Sequence, residues 1–524
     1  MSTDSPAQAG FAVETGGKRP WPALWALVIG FFMILVDANI VQVAIPAIIK
    51  GLDTDINGAI WVTSAYLLAY AVPLLVTGRL GDRIGPKNVY LAGLVLFTVA
   101  SFACGISGSI GMLIAARVVQ GLGAALLTPQ TMAVITRMFA PDKRGAALGL
   151  WGSVAGVAIL VGPIVGGILV DNLGWEWIFF INVPVGVIGF VVAWRLVPTL
   201  RTHEHTFDWL GVLLSAAGMF LLVFGIQEGE TYDWGTIRGP ITVWRLIIVG
   251  ILVLVLFVWW QARNTKEPLL PLGLFRDRNF SLANVAITAV GFAVTALGFP
   301  LILYAQTVRG LTPTQSALLL TPLAVISGAL APFAGRFIQA RDPRWMAVGG
   351  LLLFSVGTYW YSRLMHPQYS VLWLLAPAAV LGVANAGIWG PLSITATRNL
   401  APKLAGAGAG VYNTTRQVGA VLGSAAIATV MESRLAAHLP GFTGSAEGAA
   451  QGGGLPARFH APFSDAMADS ILLPGAVLLV GVVAALFFAS PHGAARRRGG
   501  RHVAGNTPGA QGRHAAGVAG AAAS

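Results

Sequence analysis

The sequence predicts an all-α polytopic membrane protein of about fourteen transmembrane helices, set out as two six-helix bundles with two helices inserted between them. Three observations predict it. The 524 residues are 56% hydrophobic and only 10% charged, with a mean hydropathy of +0.73; soluble domains carry about 25% charged residues. Apolar runs of helical length recur along the whole chain, parted by short polar breaks. The cations in those breaks fall mostly on one side when successive runs are taken to cross a bilayer, as the positive-inside rule requires.

The elements follow in order. Residues 1–21 form a polar N-terminal segment ending in Lys18 and Arg19. The apolar run after it, Trp21 to Ile49, far exceeds a signal-peptide core of about 7–15 residues and reads as a first membrane helix. The expected spans are 22–46, 59–77, 88–106, 110–136, 144–170 and 177–197, then 208–227 and 243–261, then 281–305, 315–337, 345–363, 371–397, 405–431 and 470–490. This divides the chain into an N-terminal bundle over 22–200, two linker helices over 201–265 and a C-terminal bundle over 266–491. Residues 433–469, polar and rich in glycine and alanine, are expected as an outer loop, and 492–524 as a disordered, basic cytoplasmic tail. With both termini inside, the outer loops hold only Lys50, Arg238, Arg245, Arg309, Arg363, Arg434 and Arg458, while the inner segments hold the remaining cations apart from Arg117 and Arg416, which lie within spans. The net charge of +12 therefore reads as topology and lipid contact, with no nucleic acid as a partner. A lone cysteine, Cys104, lies in an apolar run and reads as packing.

Gly78-Arg79-Leu80-Gly81-Asp82-Arg83-Ile84-Gly85-Pro86-Lys87 is a charged, glycine-punctuated stretch between two spans. Gly78 and Gly85 suit a tight turn, Asp82 suits the N–H groups of a helix N-terminus, and Arg79, Arg83 and Lys87 suit lipid headgroups. A degenerate echo, Gly335-Arg336-Phe337 through Arg341-Asp342-Pro343-Arg344, follows the tenth span and suggests two related halves.

Ionisable groups inside spans are expensive, so each is a candidate site. Asp37, Arg117 and Arg416 lie deep. Asp37 is about 13 Å from Pro46 and Arg117 about 10 Å from Ile110, so the two can pair if spans one and four face each other. A carboxylate poised between burial and an arginine can take up and release a proton; a static ion pair is the competing reading. Gly162-Pro163-Ile164-Val165-Gly166-Gly167 in span five offers a kink and a close helix seam, against plain glycine-rich packing. Polar and aromatic side chains on otherwise apolar helices mark a candidate substrate-binding set of Asn39, Gln42, Tyr66, Tyr70, Asn385, Trp389, Tyr412, Asn413 and Arg416, each competing with ordinary packing.

These stretches also resemble a known family. Gly-x-Leu-x-Asp-Arg-x-Gly-x-Lys at 78–87 resembles the loop between helices 2 and 3 of the major facilitator superfamily. Asp37-x-x-Ile-Val-x-Val-Ala-Ile-Pro46, Arg117-x-x-Gln-Gly-x-Gly-x-Ala125 and Gly162-Pro-x-x-Gly-Gly167 resemble motifs of its drug:proton antiporters. The segments 174–186, 268–276 and 413–419 resemble the fourteen-helix branch, the EmrB/QacA type. Asn39, Gln42, Ala158 and Glu176 depart from that pattern. The resemblance implies a major facilitator fold in the cell membrane and proton-driven export of amphipathic small molecules; the chain is expected to act as a monomer. It also implies Asp37 and Arg117 in proton coupling, Gly78, Asp82, Arg83, Gly85 and Lys87 as a conformational latch, and Gly162, Pro163, Gly166 and Gly167 as the antiporter motif. The chain has no Gly-x-x-x-x-Gly-Lys phosphate loop, metal-ligand cluster or gathered catalytic carboxylates, so neither an ATPase nor an enzyme is expected, and no cofactor. Export of a dedicated endogenous metabolite and a transport-dead membrane sensor are the alternatives.

Overall fold

In the computed structural model the chain runs back and forth as packed helices. The structure describes residues 19–139, 141–200, 202, 208–264, 266, 268–340, 342–400, 405–439 and 455–489. The helices are α1 (Pro20–Leu52), α2 (Ile56–Ala71), α3 (Leu74–Ile84), α4 (Pro86–Gly105), α5 (Ile110–Met138), α6 (Pro141–Leu173), α7 (Trp177–Phe180) and α8 (Asn182–Leu196). The pair α9 (Trp209–Gln227) and α10 (Val243–Arg263) follows, joined through a small hairpin of β1 (Thr236–Arg238) and β2 (Ile241–Thr242). The remainder is α11 (Arg278–Leu303), α12 (Pro313–Leu318), α13 (Thr321–Ala340), α14 (Pro343–Leu364), α15 (Leu375–Ala386), α16 (Trp389–Thr397), α17 (Ala405–His438), α18 (His460–Ser470) and α19 (Leu472–Leu486).

Among the described residues, eleven helical stretches are long and apolar enough to cross a membrane, and twelve when α2 and α3, bent by 51°, count as one. α6, whose apolar part is Val161–Leu173, and α14, of 22 residues, supply the other two expected passes. Polar N-caps start many of them: Asp55 accepts from the Gly58 N–H at 2.6 Å, Asp208 from Gly211 at 2.9 Å and Asp277 from Phe280 at 2.8 Å. The α9–α10 pair lies at the periphery, where Ile248, Leu252, Val255 and Trp259 of α10 are exposed apolar side chains suited to lipid. Its inner edge is tied down. Trp61 Nε1 donates to Glu228 at 2.6 Å from α2, and Thr429 Oγ1 of α17 donates to the Ile226 carbonyl at 2.6 Å.

Several boundaries differ from expectation, for one reason: helices run on past their apolar cores. α1 continues through Pro46 to Leu52, so Asp37 lies about 22 Å from that end, near mid-helix and further in than the expected distance of about 13 Å. α17 continues to His438 and takes in Glu432, a carboxylate the apolar pattern placed outside the span. The last span starts at Ala457 rather than 470, because Phe463, Ala466 and Met467 give a buried face to a stretch whose His460, Asp465 and Asp469 read as loop. Only 440–454 of the expected outer loop falls outside the described residues. The stretch 78–87 is mostly helix: α3 runs through Ile84, and Gly85 alone, at φ +94°, makes the turn into Pro86. The tight approach falls at Gly81, where an added Cβ would meet Gln130 Oε1 at 1.8 Å, rather than at Gly78.

Two seams join the N-terminal helices to the C-terminal ones. α2 packs on α17, and α6 packs on α12 and α13. At the end of the molecule opposite Asp82, Gln306 Nε2 donates to the Val43 carbonyl at 3.0 Å and the Thr314 N–H donates to Asp171 Oδ2 at 3.0 Å. Gly167 lies against Thr314 there, where an added Cβ would meet its Cα at 2.5 Å, so α6 and α12 touch backbone to backbone. That end is closed.

Candidate functional site

Asp37 is fully buried and sits where α1, α5 and α8 meet. Arg117 Nη1 donates to its Oδ2 at 2.5 Å; Gln120 Nε2 and Asn182 Nδ2 both donate to its Oδ1 at 2.9 Å. Arg117, also fully buried, donates from Nη1 to Gln120 Oε1 at 2.7 Å and from Nε to the Val62 carbonyl at 3.0 Å. The ring of Tyr66 lies beneath its guanidinium, 4.0 Å from Cζ. Asn182 is held in turn by donating to Ser101 Oγ at 3.0 Å, and Ser101 donates to the Phe179 carbonyl at 2.9 Å. Arg117 Nη2 has no acceptor among the described residues, so the cluster keeps one buried donor in reserve.

The local sequence explains the arrangement. Arg117 and Gln120 are three apart on α5 and share a face. Gly121 lets that face reach α2, where an added Cβ would meet the Tyr66 carbonyl at 2.5 Å. Cys104 fills the space behind, its thiol 3.6 Å from Gln120 Oε1. Asn182 stands at the first residue of α8, after the break at Ile181. Spacing along one helix reveals Gln120 as a partner of Arg117; nothing local marks Asn182, which reaches Asp37 only through the packing of α8 on α1, or Ser101 of α4, which holds Asn182.

The glycine motif surrounds the same carboxylate. A Cβ on Gly162 would meet Asn39 Cβ and the Val36 carbonyl at 3.1 Å, and one on Gly166 would meet Ile40 Cγ1 at 2.5 Å. α6 is thus seated on the turns of α1 that carry Asp37. Pro163 lies within α6 without ending it.

The expected substrate set divides in two. Tyr66 belongs to the Asp37 cluster, not to a cavity wall. Asn39 donates to the Leu35 carbonyl at 2.6 Å and Asn413 to the Ala409 carbonyl at 3.0 Å, both within their own helices, and Gln42 packs on Gly298. The others gather near the α2–α17 seam. Trp389 Nε1 donates to Asn385 Oδ1 at 2.6 Å, and Asn385 Nδ2 donates to Ser327 Oγ at 2.9 Å. The Trp389 ring faces Arg416, 6.0 Å from Cζ. Tyr70 and Tyr412 lie within electrostatic range of that guanidinium. In the expected latch, Asp82 is paired with Arg137 across α3 and α5, and Lys87 Nζ donates to the Trp194 carbonyl at 2.6 Å. The Asp82–Arg137 pair coexists with closure at the opposite end. Of 404–407, the helix N-terminus expected beside Asp82, Leu404 lies outside those described.

The family model described as Major Facilitator Superfamily matches residues 27–424. The chain belongs to that superfamily. Its relatives include an uncharacterized MFS-type transporter of Mycobacterium tuberculosis, 53% identical over 91% of this chain and 82% of that one. The tetracenomycin C resistance and export protein of Streptomyces glaucescens is 33% identical over 93% of this chain and 96% of that one. The multidrug export protein EmrB of Escherichia coli is 31% identical over 79% of this chain and 80% of that one. Among solved structures, a bacterial homolog of the human lysosomal transporter Spinster aligns with a TM-score of 0.62 at 16% identity, covering 90% of this chain and 97% of that one. The fold is that of the superfamily, and the family is one of transporters, not enzymes.

Proposed function

We propose that the protein is a secondary transporter of the cell membrane, both termini cytoplasmic, that exports amphipathic small molecules in exchange for protons. The observation that carries this reading is the Asp37 carboxylate, fully buried and held by donors from α5 and α8. A proton arriving on either oxygen replaces an acceptor by a donor aimed at Arg117, Gln120 or Asn182, so the cluster must rearrange. The rearrangement acts on α1, whose Val43 carbonyl lies about 9 Å further along and holds Gln306, just past the end of α11. Through Gly162 and Gly166 it also acts on α6, which meets α12 at the closed end. Exchange of an outgoing substrate for an incoming proton requires the protonated carrier to close that end and the deprotonated, substrate-loaded carrier to open it, and these contacts link the two events. Asp82 and Arg137 act at the other end as a latch, and the path runs between the N-terminal and C-terminal helices.

The test is uphill transport in proteoliposomes with an imposed pH gradient, over a panel of fluorescent amphipaths. Asp37→Asn is expected to lose gradient-driven accumulation by at least about tenfold while inserting normally. Undiminished uphill transport by Asp37→Asn removes Asp37 from coupling and overturns the reading. A second reading, export of one dedicated natural product, is favoured by the relative named for tetracenomycin C resistance and export. A susceptibility panel with and without the gene separates broad from single-compound export.

A further inference from the structure

Arg416 is the third deep charge, and the coupling cluster does not use it. It lies about 16 Å into α17 from Ala405, half-buried, with no hydrogen-bond or ion-pair partner among the described residues. Its surroundings are aromatic: the Trp389 ring at 6.0 Å, with Tyr70 and Tyr412 in range. The Tyr412 hydroxyl is buried and has no partner either. The register of the seam fixes where Arg416 faces. Ser64 of α2 and Ser424 of α17 touch at 2.7 Å. Tyr70, further along α2, and Arg416, further back along α17, then come opposite each other on the side of the seam toward Asp82.

An unpaired guanidinium at membrane depth is costly unless a counter-charge or water meets it. The deep carboxylate Asp37 is already satisfied by Arg117, Gln120 and Asn182. We infer that Arg416 is the recognition group for an anionic substrate, an amphipath carrying a carboxylate beside an aromatic or other flat apolar body. The guanidinium takes the carboxylate, the Tyr412 O–H donates a further bond, and the Trp389 face covers the apolar part. Trp389 is held for this by its bond to Asn385, which is anchored on Ser327 of α13. The inference names the substrate class of the transport reading and rests on it only for placing the path at the seam.

The experiment is equilibrium binding to purified protein in nanodiscs, without a pH gradient, read by pyrene anisotropy. The probes are pyrenebutyrate, pyrenebutanol and the pyrenebutyl trimethylammonium ion. The native protein is expected to hold pyrenebutyrate at least about tenfold more tightly than the other two, as for a hydrogen bond to a charged group. Arg416→Gln should bring pyrenebutyrate down to the level of the alcohol without weakening the alcohol, and Arg416→Lys should recover part of the preference. Equal binding of pyrenebutyrate by Arg416→Gln and the native protein overturns the inference, as does weakening of all three probes alike. If Arg416→Gln does not fold, the native preference decides by itself: absence of a preference for the carboxylate overturns the inference. Because no gradient is applied, failure here leaves the proton-coupling reading standing, and failure of Asp37→Asn to lose uphill transport leaves this one standing.

Discussion

Arg117 does four things that a lysine cannot do together. One Nη1 serves both Asp37 and Gln120, Nε reaches the Val62 carbonyl, and the guanidinium plane lies on Tyr66. Arg117→Lys keeps the charge but loses the planar fork. It is expected to lower uphill transport at least about tenfold, with normal amounts of protein in the membrane. Transport at the native rate would show that charge alone suffices. Asn182→Leu removes one of two donors to Asp37 Oδ1 and leaves Ser101 unpaired on that side. A buried group that loses a partner costs about 1–3 kcal/mol, so a lower thermal midpoint and slower proton-driven transport are expected; an unchanged protein on both counts would place Asn182 outside the cluster's working set.

At the scale of elements, glycines decide which helices touch. Gly419 of α17 lies on the Thr288 carbonyl of α11, where an added Cβ would sit at 2.0 Å. Backbone cannot step aside there, so Gly419→Ala must part the two helices, at a cost of about 1–3 kcal/mol; differential scanning of the purified protein reads the loss. Gly167 faces Thr314 across α6 and α12 in the same way. Gly167→Val should hold the closed end apart and raise the labelling rate of Thr314→Cys from that side, in a Cys104→Ser background. An unchanged labelling rate would mean that this seam does not gate the path.

For the whole molecule, the balance between the two ends is what transport needs. Asp82 and Arg137, each partly exposed, form an ion pair of the kind worth about 0.2–1 kcal/mol. Such an energy shifts a two-state equilibrium by about fivefold at most, enough to tune a gate without locking it. Asp82→Asn keeps the shape and removes the charge. The latch requires this pair to tighten further when the Thr314 end opens; its loss is then expected to favour closure there, lowering Thr314→Cys labelling and slowing turnover, while probe binding at Arg416 stays as in the native protein. If labelling is unaltered, the 78–87 stretch serves topology alone.

Much of this was legible in the chain. Apolar spans, their charge asymmetry and the periodic glycines determine a helical membrane protein, because a bilayer forces every span to satisfy its own backbone and punishes each buried charge. Asp37, Arg117 and Arg416 stood out for that reason alone, and the similar depth of the first two anticipated their pairing. Tertiary structure decided the rest. Hydropathy marks where side chains leave the hydrocarbon, not where a helix stops, so α1, α3, α17 and the last span all run past their apolar limits. It also cannot say which face of a helix meets which neighbour. Only the packing of α4, α5 and α8 on α1 gives Asp37 the donors Gln120 and Asn182, turns Tyr66 onto Arg117 rather than toward a cavity, and leaves Arg416 at the seam with no hydrogen-bond or ion-pair partner among the described residues.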